Sequence, residues 1–276
     1  MSGGTPSGAP PTSPNGRVLL VTGTDTGVGK THVACGLVRA LRSLGASVAV
    51  RKPAETGCAP ALAASRARTP EPAAGAGEAL LRDGQADVLG SQREPIAGTD
   101  LWPADGAALR DAAGGGESLG AVCPYRFAEP LAPAVAARRA GVEIDVRGLV
   151  RDARRRSAEV GWLVVEGAGG LLVPLRGAET FADLAGAVGA SLVLVVGARL
   201  GAINHALLTI EVARARGLAV AGLVVNHFGP THDLAIDTLG ESLRELAGVP
   251  LVATVPFGDD GAGALGAFAS ALGRSA

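Results

Sequence analysis

Six short runs along this chain are apolar at nearly every position: Val18 to Val21, Val48 to Val50, Trp162 to Val165, Leu192 to Val196, Leu223 to Val225 and Leu251 to Val255. A strand with one wet face alternates apolar and polar residues, whereas continuous apolarity marks a strand covered on both faces, as in a parallel sheet. Between the runs lie stretches with apolar residues at helical spacing, Val33 to Leu44, Val146 to Val160, Phe181 to Val188, His205 to Ala215 and Leu234 to Leu246. Strand and helix in alternation predict an α/β doubly wound fold, a mainly parallel sheet with helices on both faces. Ligands in such sheets sit at the carboxyl ends of the strands, so the residues closing each run are the ones to inspect.

Two segments break this rhythm. Residues 1–16 are Gly, Pro, Ser and Thr with neither a basic start nor an apolar stretch, which predicts a disordered tail and no signal peptide. Residues 17–276 then form one domain, interrupted from about 59 to 101 by an Ala-, Pro-, Gly- and Arg-rich stretch with at most one short helix near Gly77 to Leu89. That stretch reads as an inserted, partly mobile loop. The run Gly114-Gly115-Gly116 reads as a flexible connection.

The first apolar run leads into Gly23-Thr24-Asp25-Thr26-Gly27-Val28-Gly29-Lys30-Thr31, a glycine-rich loop ahead of a helix. Strand, tight turn and helix start aim backbone N–H groups and a positive helix end at a polyanion, so the loop predicts phosphate binding and ATP use. Lys30 adds a charge at the outer phosphates, and Thr31 a hard oxygen for magnesium. The common pattern G-x-x-x-x-G-K-[ST] requires glycine at position 24, where Thr24 stands with Gly23 one place earlier.

Other runs also end in candidate chemistry. Arg51-Lys52-Pro53 puts Lys52 beside the loop, as a charge for a transferring phosphoryl group or as an ordinary solvated lysine. Glu166 opens into Gly167-Ala168-Gly169-Gly170, placed to hold magnesium opposite Thr31 or to cap the next turn. Asn226, followed by His227, has the paired donor and acceptor that read an adenine edge, and is also common turn chemistry.

Composition narrows the partners. A net charge of -1 gives no footprint for nucleic acid or an anionic membrane. No run approaches the roughly 20 apolar residues of a membrane span. Cys35, Cys58 and Cys123 lack paired spacing, which points to a reducing cytoplasm rather than disulfides or zinc, and the four histidines have no metal-site spacing.

The loop, Lys52-Pro53, Pro124-Tyr125-Arg126-Phe127-Ala128-Glu129-Pro130, Glu166-Gly167-Ala168-Gly169-Gly170 and Gly201-Ala202-Ile203-Asn204-His205 together resemble the dethiobiotin synthetase family, in order and spacing from residue 17 onward. The extra residue in the phosphate loop belongs to that pattern. The resemblance implies a P-loop ligase that uses ATP, magnesium and carbon dioxide to close a ureido ring on 7,8-diaminononanoate, in biotin synthesis. By the same resemblance Lys30 and Lys52 are catalytic, Lys52 and Thr56 meet the substrate, and Thr31, Asp105 and Glu166 hold the metal. Asp105 is chosen by its place some 20 residues before Pro124-Tyr125, with Asp87 as the alternative. Nucleotide contacts fall on Thr26, Gly27, Val28, Gly29, Lys30, Thr31, His32, Glu166, Gly167, Ala168, Gly169, Asn226, His227, Pro256, Phe257 and Gly258. A homodimer with a shared site touched near Val173-Pro174-Leu175 is also implied. Many relatives carry an acid where this chain has Gly27, and the stretch between Cys58 and Leu101 departs from them in length.

Two rivals share the loop. An amidoligase-like enzyme lacks a reason for Lys52-Pro53 and the Pro124 to Pro130 segment. A partition-type ATPase switch places a second lysine where Thr24 or Asp25 stands here, and the Ala- and Gly-rich stretch from Gly261 to Ala276 is a poor membrane anchor.

Overall fold

The computed structural model describes residues 17–61, 98–230, 233–249 and 252–274. The expected tail, the helix near Gly77 to Leu89 and Asp87 lie outside them. Twelve strands are described: β1 Arg17–Gly23, β2 Val48–Arg51, β3 Ala54–Thr56, β4 Ala59–Pro60, β5 Leu101–Trp102, β6 Tyr125–Phe127, β7 Trp162–Gly170, β8 Pro174–Arg176, β9 Glu179–Thr180, β10 Ser191–Gly197, β11 Val220–Asn226 and β12 Val252–Val255. Six of them, the six apolar runs, form one parallel sheet in the order β12-β11-β10-β1-β7-β2. From β1 the chain crosses to the edge strand β2, returns to β7 beside β1, and then runs through β10 and β11 to the other edge at β12, so the direction of winding changes at β1, where the glycine-rich loop leaves the sheet.

The helices are α1 Lys30–Ser43, α2 Ala104–Ala112, α3 Leu119–Val122, α4 Pro133–Arg139, α5 Val146–Ser157, α6 Phe181–Val188, α7 Ala202–Ala215, α8 Leu234–Asp237, α9 Leu239–Leu246 and α10 Gly266–Arg274. Period-two side-chain direction divides the sheet between two cores. Leu19, Val21, Val164, Val193 and Val195 pack with α1, α2 and α10 on one face. Val18, Leu20, Leu163, Val165 and Leu192 pack with α5 and α6 on the other, which Leu194, Val196, Leu223 and Val225 continue beneath α7 and α9. Burial on both sides is what the unbroken apolar runs encode, each fully buried Val or Leu contributing about 1.5–3 kcal/mol.

Helix boundaries follow local chemistry. Thr180 and Asp183 make a reciprocal capping box that starts α6, and Gly189 ends it in the left-handed conformation. The single helix expected from Leu234 to Leu246 is instead two, α8 and α9, meeting at Thr238. Thr238 donates its hydroxyl to the Leu234 carbonyl, the local side-chain bond by which Ser and Thr interrupt or bend helices. The glycine run after α2 is also more than a connection. Gly114 and Gly115 have φ of 97° and 75°, and their N–H groups donate to the Asp111 and Arg110 carbonyls, closing the helix end. At the base of the expected insertion, β4 and β5 pair antiparallel, Ala59 with Trp102 and Pro60 with Leu101.

Candidate active site

The glycine-rich loop is fixed from below and from the side. Thr24 donates its N–H to the Val195 carbonyl at 3.0 Å, and the Asn226 side-chain amide donates to the Val28 carbonyl at 3.1 Å. Gly29 has φ 86°, and a Cβ there would overlap the Asn226 amide, so glycine is required on both counts. No side chain caps the start of α1, which leaves its first N–H groups directed at the loop. Lys30 is buried, and its Nζ donates to the Asp25 carbonyl at 3.0 Å. Burial first, then the neighbouring Lys52 charge, holds the Lys30 pKa below the ordinary lysine value.

Lys52 is a buried ion-pair partner, 3% exposed, rather than a solvated lysine. The end of β2 carries it inward, where its N–H donates to the Val122 carbonyl at 2.8 Å. Its Nζ donates to Glu166 Oε1 at 2.6 Å and Asp105 Oδ2 at 3.0 Å. Burial alone would lower its pKa, but Glu166 and Asp105 outweigh burial and leave it raised.

Glu166 is fully buried on β7. Beyond it the register with β1 changes: Val21 pairs with Glu166, and Gly23 with Gly170. The intervening Gly167, Ala168 and Gly169 therefore bulge beside the glycine-rich loop, where a Cβ on Gly169 would stand 3.4 Å from Thr26 Oγ1. Glu166 Oε1 also accepts from Thr31 Oγ1 at 2.7 Å, while Oε2 is buried without a partner. Burial pushes the carboxyl pKa up, against the pull of Lys52 and Thr31.

Asp105 enters from the first turn of α2, with its side chain 43% exposed. Thr31, Asp105, Glu166 and both lysines are thus brought together at one end of the sheet. A carboxylate oxygen left orphaned in the interior, a hydroxyl on its twin oxygen and a half-exposed second carboxylate form the hard oxygen set that suits magnesium. Among the described residues no three His, Cys, Asp or Glu side chains cluster into a metal site, so such a cation would depend on Thr31 and on oxygens of its ligand.

The remaining candidates lie at the ends of β3 and β11, after β12, in the glycine-rich loop and on the first turn of α1. Thr56 is half-buried at the end of β3. Asn226 is 4% exposed, with one amide hydrogen given to the loop. Half-buried His227 donates its backbone N–H to the Val255 carbonyl, joining β11 to the β12 end, from which Pro256, Phe257 and Gly258 run exposed. His32 is exposed on the first turn of α1. Gly27, with φ 76°, is exposed and has nothing within 4 Å of where a Cβ would stand.

Comparison with known proteins gives the same assignment as the motifs. The AAA domain family profile matches residues 17–72 and 95–262. A protein of Anaeromyxobacter dehalogenans named ATP-dependent dethiobiotin synthetase is 41% identical over 244 residues, covering 88% of this chain and 92% of that one. Namesakes in Pseudomonas aeruginosa and Thermodesulfovibrio yellowstonii are 38% and 33% identical, over 83% and 86% of this chain and 83% and 88% of theirs. The chain belongs to the dethiobiotin synthetase family. Its fold is that of P-loop NTPases: the cell division ATPase MinD of Pyrococcus furiosus superposes with a TM-score of 0.52 at 17% identity, covering 95% of this chain and all of that one. MinD of Pyrococcus horikoshii, solved with Mg-ADP, gives 0.50 at 15%, covering 94% and 96%.

In this dethiobiotin synthetase relative, three supporting residues escaped the sequence reading. Arg51, 5% exposed, donates to Asp152 at 2.6 Å and Glu117 at 2.9 Å, in a ring of charges closed through Arg155, Glu159 and Arg156. It anchors the strand end that carries Lys52, but its partners are remote in sequence. Arg199 pairs with Asp25 of the phosphate loop at 2.6 Å and lies just before the Gly201 motif that was singled out. Glu55, between Lys52 and Thr56, is 6% exposed and accepts from the backbone of α2. An acid between two singled-out residues was the available signal.

Proposed function

We propose that this chain is an ATP- and magnesium-dependent dethiobiotin synthase, closing a ureido ring on 7,8-diaminononanoate with carbon dioxide, ADP and phosphate being released. The observation that carries the site reading is the meeting of two buried lysines with Glu166 beside the glycine-rich loop. Loop amides and Thr26 bind the phosphates, with Gly27, Val28, Gly29 and His32 framing them; Asn226, His227, Pro256, Phe257 and Gly258 receive the adenine. Thr31, Asp105 and Glu166 hold magnesium, which neutralises phosphate charge when bound.

One substrate amine adds to carbon dioxide and loses a proton, giving a carbamate. A carbamate oxygen attacks the γ-phosphorus, and the bond to the bridging oxygen breaks as ADP leaves with that electron pair. The second amine then attacks the carbamate carbon and loses its proton, and phosphate departs with the carbon–oxygen electrons. Lys30 meets the charge spreading over the phosphoryl oxygens; Lys52, held cationic by its two carboxylates, faces the carbamate, and Thr56 orients the substrate. No covalent bond to the protein is required.

The working form is a homodimer in the cytoplasm. Supporting the dimer, Leu172 is 47% exposed beside half-buried Val173 and Pro174, whereas Leu175 is in this chain's own core and out of a partner's reach. Supporting the compartment, Cys35, Cys58 and Cys123 are free thiols, and no described helix is long and apolar enough to cross a membrane. Release of ADP by the purified protein with magnesium-ATP tests the assignment. It should require diaminononanoate and bicarbonate together and give the ureido product by mass; equal release without either substrate would overturn it.

A further inference from the structure

We infer that Glu55 is a positioning residue: it clamps the first turn of α2 so that the Asp105 carboxylate is delivered to Lys52 and the metal-binding oxygens. The inference rests on the site reading above and concerns how one of its members is held.

The start of α2 has an unusual support. Its N-cap residue is Pro103, whose side chain makes no capping hydrogen bond, and helix starts in that position need an acceptor from elsewhere. Glu55 supplies it from a different segment, 50 residues away in the chain. Its Oε1 accepts the Asp105 N–H at 3.0 Å and its Oε2 the Gly106 N–H at 2.9 Å. A buried carboxylate is costly unless hydrogen-bonded, and two N–H groups at a helix start, with the positive end of the helix dipole, offset part of that cost.

The clamp is rigid on both sides. β3 pairs in parallel with β6, Glu55 opposite Arg126. Arg126, 8% exposed, donates Nε to the Cys123 carbonyl at 3.1 Å and Nη1 to the Leu101 carbonyl at 3.2 Å. These register partners therefore grip the chain before and after Pro103, one by a carbonyl and the other by two N–H groups. Gly106 allows the approach: a Cβ there would stand 2.8 Å from Cys123 Cβ and 3.6 Å from Glu55 Oε2. Asp105 is therefore fixed by its own backbone N–H while its side chain reaches Lys52 at 3.0 Å. Three residues of one short segment thus serve the site: Lys52 as charge, Glu55 as clamp and Thr56 as substrate contact.

Glu55→Gln replaces one acceptor with an NH2 group facing a backbone N–H, and tests the idea in the full chain. Hydrogen exchange should show the Asp105 and Gly106 amides exchanging at least about 10-fold faster, with the β1 and β7 amides unchanged. Calorimetry should show the gain in ADP affinity on adding magnesium reduced about 10-fold or more, the range seen when residues supporting metal ligands are removed. Metal-free ADP affinity should stay as in the parent. Asp105→Asn should remove the same gain, and Glu55→Gln combined with Asp105→Asn should lose no more than Asp105→Asn alone. Should Gln unfold the chain, Glu55→Asp, a methylene shorter, should give the same pattern at smaller size. Unchanged exchange at both amides, or additive losses in the double variant, would overturn the inference. If Asp105→Asn leaves the magnesium gain intact while Glu55→Gln speeds exchange, the metal role of Asp105 fails and the clamp stands as architecture alone, which overturns the inferred role in the site.

Discussion

Lys30 and Lys52 are both buried at the same end of the sheet, yet their surroundings oppose each other. Lys30 donates to one backbone carbonyl, and burial together with its neighbour Lys52 pulls its pKa down. Lys52 bridges two carboxylates that push its pKa up. The first is a cation whose environment favours an arriving anion; the second is already neutralised and holds acids in place. The glycine-rich loop thus keeps one charge in reserve beside another that is tied up in ion pairs.

The largest expected difference between them is in stability. Lys52→Ala leaves Glu166 buried without its counter-charge and should cost about 3–5 kcal/mol in urea unfolding, with loss of product formation. Lys30→Ala should change unfolding by less than about 1 kcal/mol while weakening ATP binding about 100-fold or more, since the charge it removes serves the ligand. Equal destabilisation by the two variants would erase the distinction.

Alkaline titration sharpens the same contrast. Because the folded pKa of Lys30 lies below its ordinary value of 10.5, its charge costs stability at neutral pH, and that cost disappears as pH rises towards 10.5. Lys52 has the opposite sign: its contribution is complete below 10.5 and is lost only as pH rises through its raised folded pKa. ADP affinity should therefore fall at a pH below 10.5, and Lys30→Arg should move that fall upward. A fall unmoved by Lys30→Arg would assign it to another group.

A smaller effect is expected at Asn226, which steadies the loop around Lys30. Asn226→Ala leaves the Val28 carbonyl without that donor and should cost about 1–2 kcal/mol, read by thermal unfolding. The smallest lies with the cysteines. Burial pushes Cys35 up to about 12 and Cys58 up to about 11, and raises Cys123 well above the ordinary value, so alkylating reagent at pH 8 should leave turnover unchanged.

The sequence-visible part of the molecule was the part with strong local signal. All six sheet strands stood out because burial on both faces removes polar residues from each run, and the glycine-rich loop because a tight turn with Lys-Thr restricts residue choice. Helix α2 did not, because Ala-Asp-Gly-Ala-Ala-Leu-Arg-Asp-Ala has a weak apolar period and its start is capped from β3. Strands β3 to β6 span only two or three residues each, too short for periodicity. At the site, Lys52 was undecided because a lysine at a strand end is usually wet, and only the fold shows two acids around it. Asp105 came from family resemblance and not from pattern. Glu55 carried its signal only in space, through amides 50 residues away.

The most direct measurement follows oxygen. With heavy-oxygen-labelled carbon dioxide, in a single turnover faster than exchange with water, one labelled oxygen should appear in the released phosphate and one in the ureido carbonyl, only when diaminononanoate and ATP are both present. Label confined to the ureido product, with none in phosphate, would contradict attack by a carbamate oxygen on ATP.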